Sequence, residues 1–428
     1  VTTPLAARAA LGAAALLGHA AGALAPLILR RRLAAGKEHP ERYVEKLGRG
    51  SAGWPKGPLV QVHAASVGEF NAALPLIEAI ALQAGVLVTT GTLTSAALAA
   101  ERLPQGGALH RFAPIDAPAI IRRHFAEARP DALVLVESEL WPNLMAGARR
   151  AGVPVLLANA RMSDRSFRRW SRLRPLAEGM LGLVDHVLAQ SDVDADRYRA
   201  LGARVVECAG NLKFDGPPPP ADPATLAALD AAIGRRPRIF AASAHPGEAD
   251  VILDAFLGIR RARPDALLIL APRHPERADA FAAAAGARGL ATARRGRGEA
   301  PGGAAVYIAD TIGEMGLWYR LATVAVIGGS YIPHGGQSPL EAAKLGRPSL
   351  RGPSTGNFEA VFAALDAVGA SLAAPDAATL ETHLSRLLDD PAEGEQRGAA
   401  GQAVAERHAG ALARTIAALV ALRQGRRG

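Results

Sequence analysis

Four consecutive prolines at positions 217–220 divide this 428-residue chain near its middle. Proline has no backbone donor and a fixed φ, so neither a helix interior nor a central strand can run through such a stretch. The chain therefore folds as two blocks. Each is long enough for its own core, and an apolar content of 49% supplies the material for both.

The same rhythm occupies both blocks. Short apolar runs at 59–62, 86–90, 132–136, 153–157 and 187–189 alternate with helix-length segments, and so do runs at 238–242, 266–270, 305–308, 324–327 and 349–350. Buried strands alternating with helices predict parallel sheets covered by helices, an α/β class. The predicted organisation is an N-terminal segment 1–35, a first α/β domain 36–211, a linker 212–222, a second α/β domain 223–400 and a helical segment 401–428 that caps either domain.

Composition removes several classes. A single cysteine, Cys208, allows no intrachain disulfide and no thiol-rich metal framework, and is read as structural. The +9 balance is spread along the chain, and the aromatic fraction is 4% with no interleaved basic and aromatic stripe, so a specific nucleic-acid partner is not expected. The charge is informative at one place. Residues 9–29 hold no charged side chain and are followed by Arg30, Arg31 and Arg32. That pairing predicts membrane association with the downstream body on the cytoplasmic side of an anionic surface, and leaves open whether the segment spans or lies flat.

Chemistry-bearing clusters recur just after strand-like runs. His63-Ala64-Ala65-Ser66-Val67-Gly68-Glu69 places a carboxylate at a strand-to-helix junction, where Glu69 serves either as a general base or as a helix cap. Glu137-Ser138-Glu139 and Asn159-Ala160-Arg161 add polar groups at two further strand ends. In the second block, Arg273 can make paired hydrogen bonds to a phosphate. Gly313-Glu314, Gly328-Gly329-Ser330 and Gly335-Gly336-Gln337-Ser338-Pro339-Leu340-Glu341 allow close backbone approach to a phosphorylated ligand. No Walker ending follows these glycines, and His245 and His274 have no convergent third ligand, so no metal is expected.

In this order the clusters resemble the 3-deoxy-D-manno-octulosonic acid (Kdo) transferases of Gram-negative lipopolysaccharide synthesis, from Arg30-Arg31-Arg32-Leu33 to Gly352-Pro353 and Asn357-Phe358. The resemblance implies a GT-B fold of two Rossmann-like domains facing a cleft. It implies inverting transfer of Kdo from CMP-Kdo to a hydroxyl of a lipid A precursor at the cytoplasmic face of the inner membrane, with no cofactor. Glu69 corresponds to the catalytic base. Ser66, Gly68, Glu137, Glu139, Asn159 and Arg161 fall on the acceptor side, and Arg273, Gly313, Glu314, Gly329, Ser330, Gly335, Gly336 and Glu341 on the donor side. The sequence departs from the family pattern at Gln337-Ser338, where His-Asn is common, and at Ala244, where Thr is frequent. It also lacks the usual histidine after Gly352-Pro353. A GT-B transferase with another nucleotide sugar and a non-catalytic membrane scaffold are the alternative readings.

Overall fold

A computed structural model describes residues 4–50, 53, 55 and 57–425, so the extreme ends of the expected 1–35 and 401–428 segments lie outside the described residues. The chain forms two compact units, one of residues 1–216 with 408–428 and one of residues 217–407.

The first unit holds a parallel seven-stranded sheet of β1 (Leu59–His63), β2 (Gly85–Thr90), β3 (Ala108–Phe112), β4 (Ala132–Val136), β5 (Val155–Ala160), β6 (His186–Ala189) and β7 (Val206–Cys208). Their spatial order is β3-β2-β1-β4-β5-β6-β7. Alternate residues feed two core layers. Val60, Val62, Val134 and Leu156 pack with Phe70, Leu76 and Ile77 on one face. Leu133, Leu135, Val155 and Leu157 pack with Leu144, Met145 and Met180 on the other. Burial on both faces is why these strands read as continuous apolar runs.

The second unit repeats the plan with β8 (Arg238–Ala244), β9 (Leu267–Pro272), β10 (Thr292–Arg294), β11 (Val306–Ile308), β12 (Val324–Ile327), β13 (Ser349–Arg351) and β14 (Ser371–Ala373), in the order β10-β11-β9-β8-β12-β13-β14. The four strands that hydropathy does not predict, β3, β7, β10 and β14, are the four sheet edges. An edge strand pairs on one side only and tolerates polar residues, as Arg111 in β3 and Thr292 in β10 illustrate.

The segment expected as linker is partly core. Leu212–Phe214 forms a 3-10 turn, with Leu212 and Phe214 buried in the first unit. At the far end, Pro391–Arg407 and Ala411–Gly425 are separate helices, broken at Gly410 with φ +96°. The second of them belongs to the first unit, where Ala411 and Leu419 enter the core of the β1 face. Cys208 is exposed on β7 rather than built into a core.

The apolar N-terminus is one helix, Leu5–Ala34, long and apolar enough to cross a membrane by length and composition. One face of it is docked. A β-carbon on Gly18 would stand 2.7 Å from Asn143 Nδ2 and 3.1 Å from the Asp116 carbonyl oxygen, and one on Gly179 would meet Leu11 Cγ at 2.9 Å. Ala7, Gly18, Ala25 and Leu29 are buried along this face, while Leu5, Leu16, Leu17, Leu24, Leu27 and Ile28 are exposed. Of the three arginines that follow, Arg32 is paired at 2.6 Å with the buried Glu38, which Lys46 also contacts at 2.6 Å. Arg30 and Arg31 have no carboxylate partner among the described residues.

Candidate active site

In an open parallel sheet a ligand crevice forms outside the carboxyl ends of the strands where the winding reverses. In the first unit that point lies between β1 and β4, and in the second between β8 and β12. Part of the predicted set falls there, while Asn159 and Arg161 lie at the end of β5, Arg273 follows β9, and Gly313 and Glu314 follow β11. Ser66 and Glu69 follow β1, and Glu137 and Glu139 follow β4. In the second unit the Ser243–His245 turn ends β8, and Gly329 and Ser330 follow β12.

Backbone strain marks the same ends. Among the described residues four non-glycine residues have positive φ, and three of them are Glu137 (60°) just past β4, Asn159 (53°) near the end of β5 and Ser243 (54°) near the end of β8. Pairing registers shift beside the last two, between Leu157 and Ala160 and between Ala241 and Ala244. Such conformations persist where the surroundings hold them, and they cluster at functional sites.

Both roles considered for Glu69 are present together. Ser66 caps the helix Val67–Ala81: its Oγ accepts from the Glu69 N–H at 3.3 Å, and its own N–H donates to Glu69 Oε2 at 3.1 Å. Capping engages one carboxylate oxygen, and the charge of Glu139 acts on Glu69 as well. Glu69 is half-buried, and burial together with the charges of Glu139 and Glu137 raises its pKa to about 7. Burial also works against ionisation of Glu139, but contacts from His63 and Trp141 outweigh it and keep that carboxyl below its ordinary value. Trp141 Nε1 donates to Glu139 Oε2 at 2.5 Å, and His63 Nε2 lies 3.8 Å from the same oxygen. His63 is fully buried, with Nδ1 3.0 Å from Thr89 Oγ1 and its ring edge-on to Trp141. Two neighbouring carboxyls are thus driven apart in acidity. Glu139 holds the charge, and Glu69 is poised to gain or lose a proton near neutrality.

The other predicted acceptor-side groups lie at the carboxyl ends of β1, β4 and β5. Glu137 Oε1 is 3.9 Å from Lys213 Nζ. The Arg161 N–H donates to the Glu137 carbonyl at 3.4 Å, and the Arg161 side chain is exposed. Asn159 is buried. Its Oδ1 accepts from the Leu212 N–H at 3.0 Å, and its Nδ2 has no partner among the described residues. Gly68 is exposed, and a β-carbon there would meet nothing closer than Ser66 Oγ at 3.8 Å.

In the second unit Glu248 organises the glycine loop. It is fully buried and accepts from the N–H groups of Gly329 (2.7 Å), Ser330 (3.0 Å), Tyr331 (2.9 Å) and His245 (2.9 Å). The Ser330 hydroxyl donates to the Ile327 carbonyl at 2.5 Å and accepts from the Gly352 N–H at 2.8 Å, so Ser330 shapes the loop. Gly335 and Gly336 have φ of 93° and 76°, and a β-carbon on Gly335 would collide with Asn357 at 2.8 Å. Arg273 is exposed at the end of β9, its N–H bonded to the Ala244 carbonyl at 2.8 Å. Its charge, with Lys344 and a hydrogen bond from Tyr319, opposes the burial that raises the pKa of Glu341. Glu314 is engaged. Arg295 pairs with it through two nitrogens at 3.0 and 2.7 Å, Thr311 adds a hydrogen bond, and its carboxyl is held below the ordinary range. Gly313 stays open, with φ 86°.

Sequence reasoning gave no role to Glu248 or Lys213 and read His63 only as the first residue of the Glu69 cluster. Glu248 carried a readable signal, since a carboxylate three residues after His245 at a strand end fits a capping box. The contacts of His63 and Lys213 join residues far apart in the chain and have no local pattern.

Two Rossmann-like units, each a parallel sheet covered by helices, define a GT-B-type α/β fold. A family model described as 3-deoxy-D-manno-octulosonic-acid transferase (kdotransferase) matches residues 41–216. A 3-deoxy-D-manno-octulosonic acid transferase of Bordetella pertussis is 40% identical over 415 residues, covering 92% of this chain and 96% of the relative. That of Haemophilus influenzae is 32% identical over 388 residues, covering 88% and 90%. The crystal structure of UDP-GlcNAc 2-epimerase from Neisseria meningitidis bound to UDP-GlcNAc covers 84% of this chain and 99% of its own at 12% identity and a TM-score of 0.51, a likeness of fold alone. The chain belongs to the 3-deoxy-D-manno-octulosonic acid transferase family and is a glycosyltransferase.

Proposed function

We propose that the protein transfers Kdo from CMP-Kdo to a hydroxyl of a lipid A precursor with inversion at the anomeric carbon, Glu69 acting as the base. The observation that carries this reading is the pairing of a half-buried Glu69, with pKa near 7, and a charged Glu139 at the carboxyl ends of β1 and β4. A carboxylate of that basicity takes the acceptor proton as the hydroxyl oxygen attacks C2 of Kdo, and CMP leaves with the bonding electrons. The carboxyl of Glu139 keeps its charge and stabilises the proton taken up by its neighbour. Glu137, Asn159, Arg161, Ser66 and Gly68 shape the acceptor surface.

On the donor side, Arg273 neutralises the departing phosphate, and the loop of Gly329, Ser330, Gly335 and Gly336 offers backbone close to the nucleotide. Glu341 contacts sugar or ribose hydroxyls, and Gly313 with Glu314 borders the cytidine. The N-terminal helix supports association with the cytoplasmic face of the membrane. Because one face is docked on the first unit, the helix lies on the bilayer with its outer leucines immersed instead of crossing it.

Incubation with CMP-Kdo and defined lipid A precursors, with products resolved by mass and linkage, tests donor, acceptor and stereochemistry together. Kdo-bearing product and stoichiometric CMP are expected; absence of acceptor-dependent CMP release overturns the proposal.

A further inference from the structure

The helix Asp164–Arg172 follows β5 and carries an inverted pattern. Arg165, Arg168, Arg169 and Arg172 stand at i, i+3, i+4 and i+7, the spacing by which a helix ordinarily presents apolar residues to a core. All four are exposed and, among the described residues, none is in an ion pair with a carboxylate. Together with Ser166 they line a surface recess of about 530 Å³. Like charges three and four apart disfavour a helix, so this face opposes the fold of its own segment unless an anion covers it.

The platform beneath is fixed. Ser163 caps the helix through the Ser166 N–H at 3.3 Å, Asp164 pairs with Arg197, and Arg197 also donates to the Met162 carbonyl at 2.5 Å. Phe167 and Trp170 on the opposite side pack against the core, with the Arg169 guanidinium 5.5 Å from the Trp170 ring. Leu173, half exposed, joins this helix to Arg174–Leu181, and it is Gly179 of that next helix that receives Leu11 and Ala7 of the N-terminal helix. The arginine face is therefore one short helix away from the segment with the exposed leucines.

We infer that the Arg165, Arg168, Arg169 and Arg172 face is a docking surface for the anionic phosphate headgroups of the bilayer. It works with the N-terminal helix and holds the β5 end of the acceptor side at the membrane. The inference rests on the membrane-associated reading above and adds a second, purely electrostatic contact. Guanidinium groups bind phosphate oxygens in a paired geometry, and a cluster of basic residues near an anionic leaflet gains about fivefold in binding per residue.

The test is sedimentation of the full chain with phosphatidylcholine vesicles, with and without phosphatidylglycerol, for wild type and for R165Q/R168Q/R169Q/R172Q. Wild type is expected to prefer the anionic vesicles in a salt-sensitive way. The variant should lose at least about tenfold of that binding, keep its affinity for phosphatidylcholine, melt no lower than wild type, and transfer normally to a water-soluble acceptor. A retained preference for phosphatidylglycerol overturns the inference, and equal loss on both vesicles does so by making the helix a packing element. Wild-type binding at fixed ionic strength that inorganic phosphate abolishes as well on neutral as on anionic vesicles overturns it in favour of a soluble phosphate site. Wild-type binding to both vesicle types alike sinks this inference alone, whereas binding to neither removes the membrane reading on which it stands.

Discussion

Glu69 shows how much one residue's environment decides. Nothing in His63-Ala64-Ala65-Ser66-Val67-Gly68-Glu69 separates a helix cap from a base, and the structure contains the cap. What sets Glu69 apart from other capping glutamates is burial beside Glu139 and Glu137. Two consequences are measurable. Glu69→Gln should lower turnover by about a thousandfold or more, and in the wild type kcat/KM should fall about tenfold per pH unit below about 7. Glu139→Gln removes a neighbouring charge, so the acidic limb of that profile should move to lower pH. Stability moves in the opposite sense to activity. A folded pKa near 7 against an ordinary 4.5 means the fold prefers the protonated form. That contribution is complete below the unfolded value and is lost as pH rises through about 7. At pH 8 the always-neutral Glu69→Gln protein should therefore be more stable by about 1–3 kcal/mol, and at pH 4 nearly equal, by denaturant titration at both pH values.

Elements were legible in proportion to their burial. The central strands announce themselves as apolar runs because both faces meet helices, whereas β3, β7, β10 and β14 pair on one side and read as mixed sequence. The glycine loop after β12 was visible as composition, but what holds it was not. Four backbone donors converge on the fully buried Glu248. Glu248→Ala leaves those N–H groups unpaired and should cost about 3–5 kcal/mol, with donor affinity falling by more than acceptor affinity in separate binding titrations. The N-terminal helix was legible as apolar, yet its docked side depends on what lies opposite Gly18. Gly18→Leu should lift the helix from the first unit at a cost of about 1–3 kcal/mol, read as faster proteolysis within residues 5–34.

At the scale of the whole molecule, the chain builds the first unit, then the second, and returns to the first with Ala411–Gly425. Asp215 fastens the return, accepting from the N–H groups of Gly410 at 2.5 Å and Leu412 at 3.0 Å, and Leu419 completes the core. Removing residues 408–428 should destabilise the first unit by about 3–5 kcal/mol, while hydrogen exchange of the β8–β14 sheet stays unchanged. The return path had no local signature, because a helix of alanine and leucine can cap any apolar face. The sequence by itself determined the two-block plan, the parallel α/β class and the strand-end placement of the polar clusters, since proline chemistry and apolar periodicity act locally. Only the tertiary structure decided that Glu69 is shifted by Glu139, that Glu248 braces the glycine loop, that one face of the N-terminal helix is docked, and which unit the last helix completes. Each of these is a contact between residues distant in the chain, and its energy depends on burial and charge that exist only once the sheets have formed.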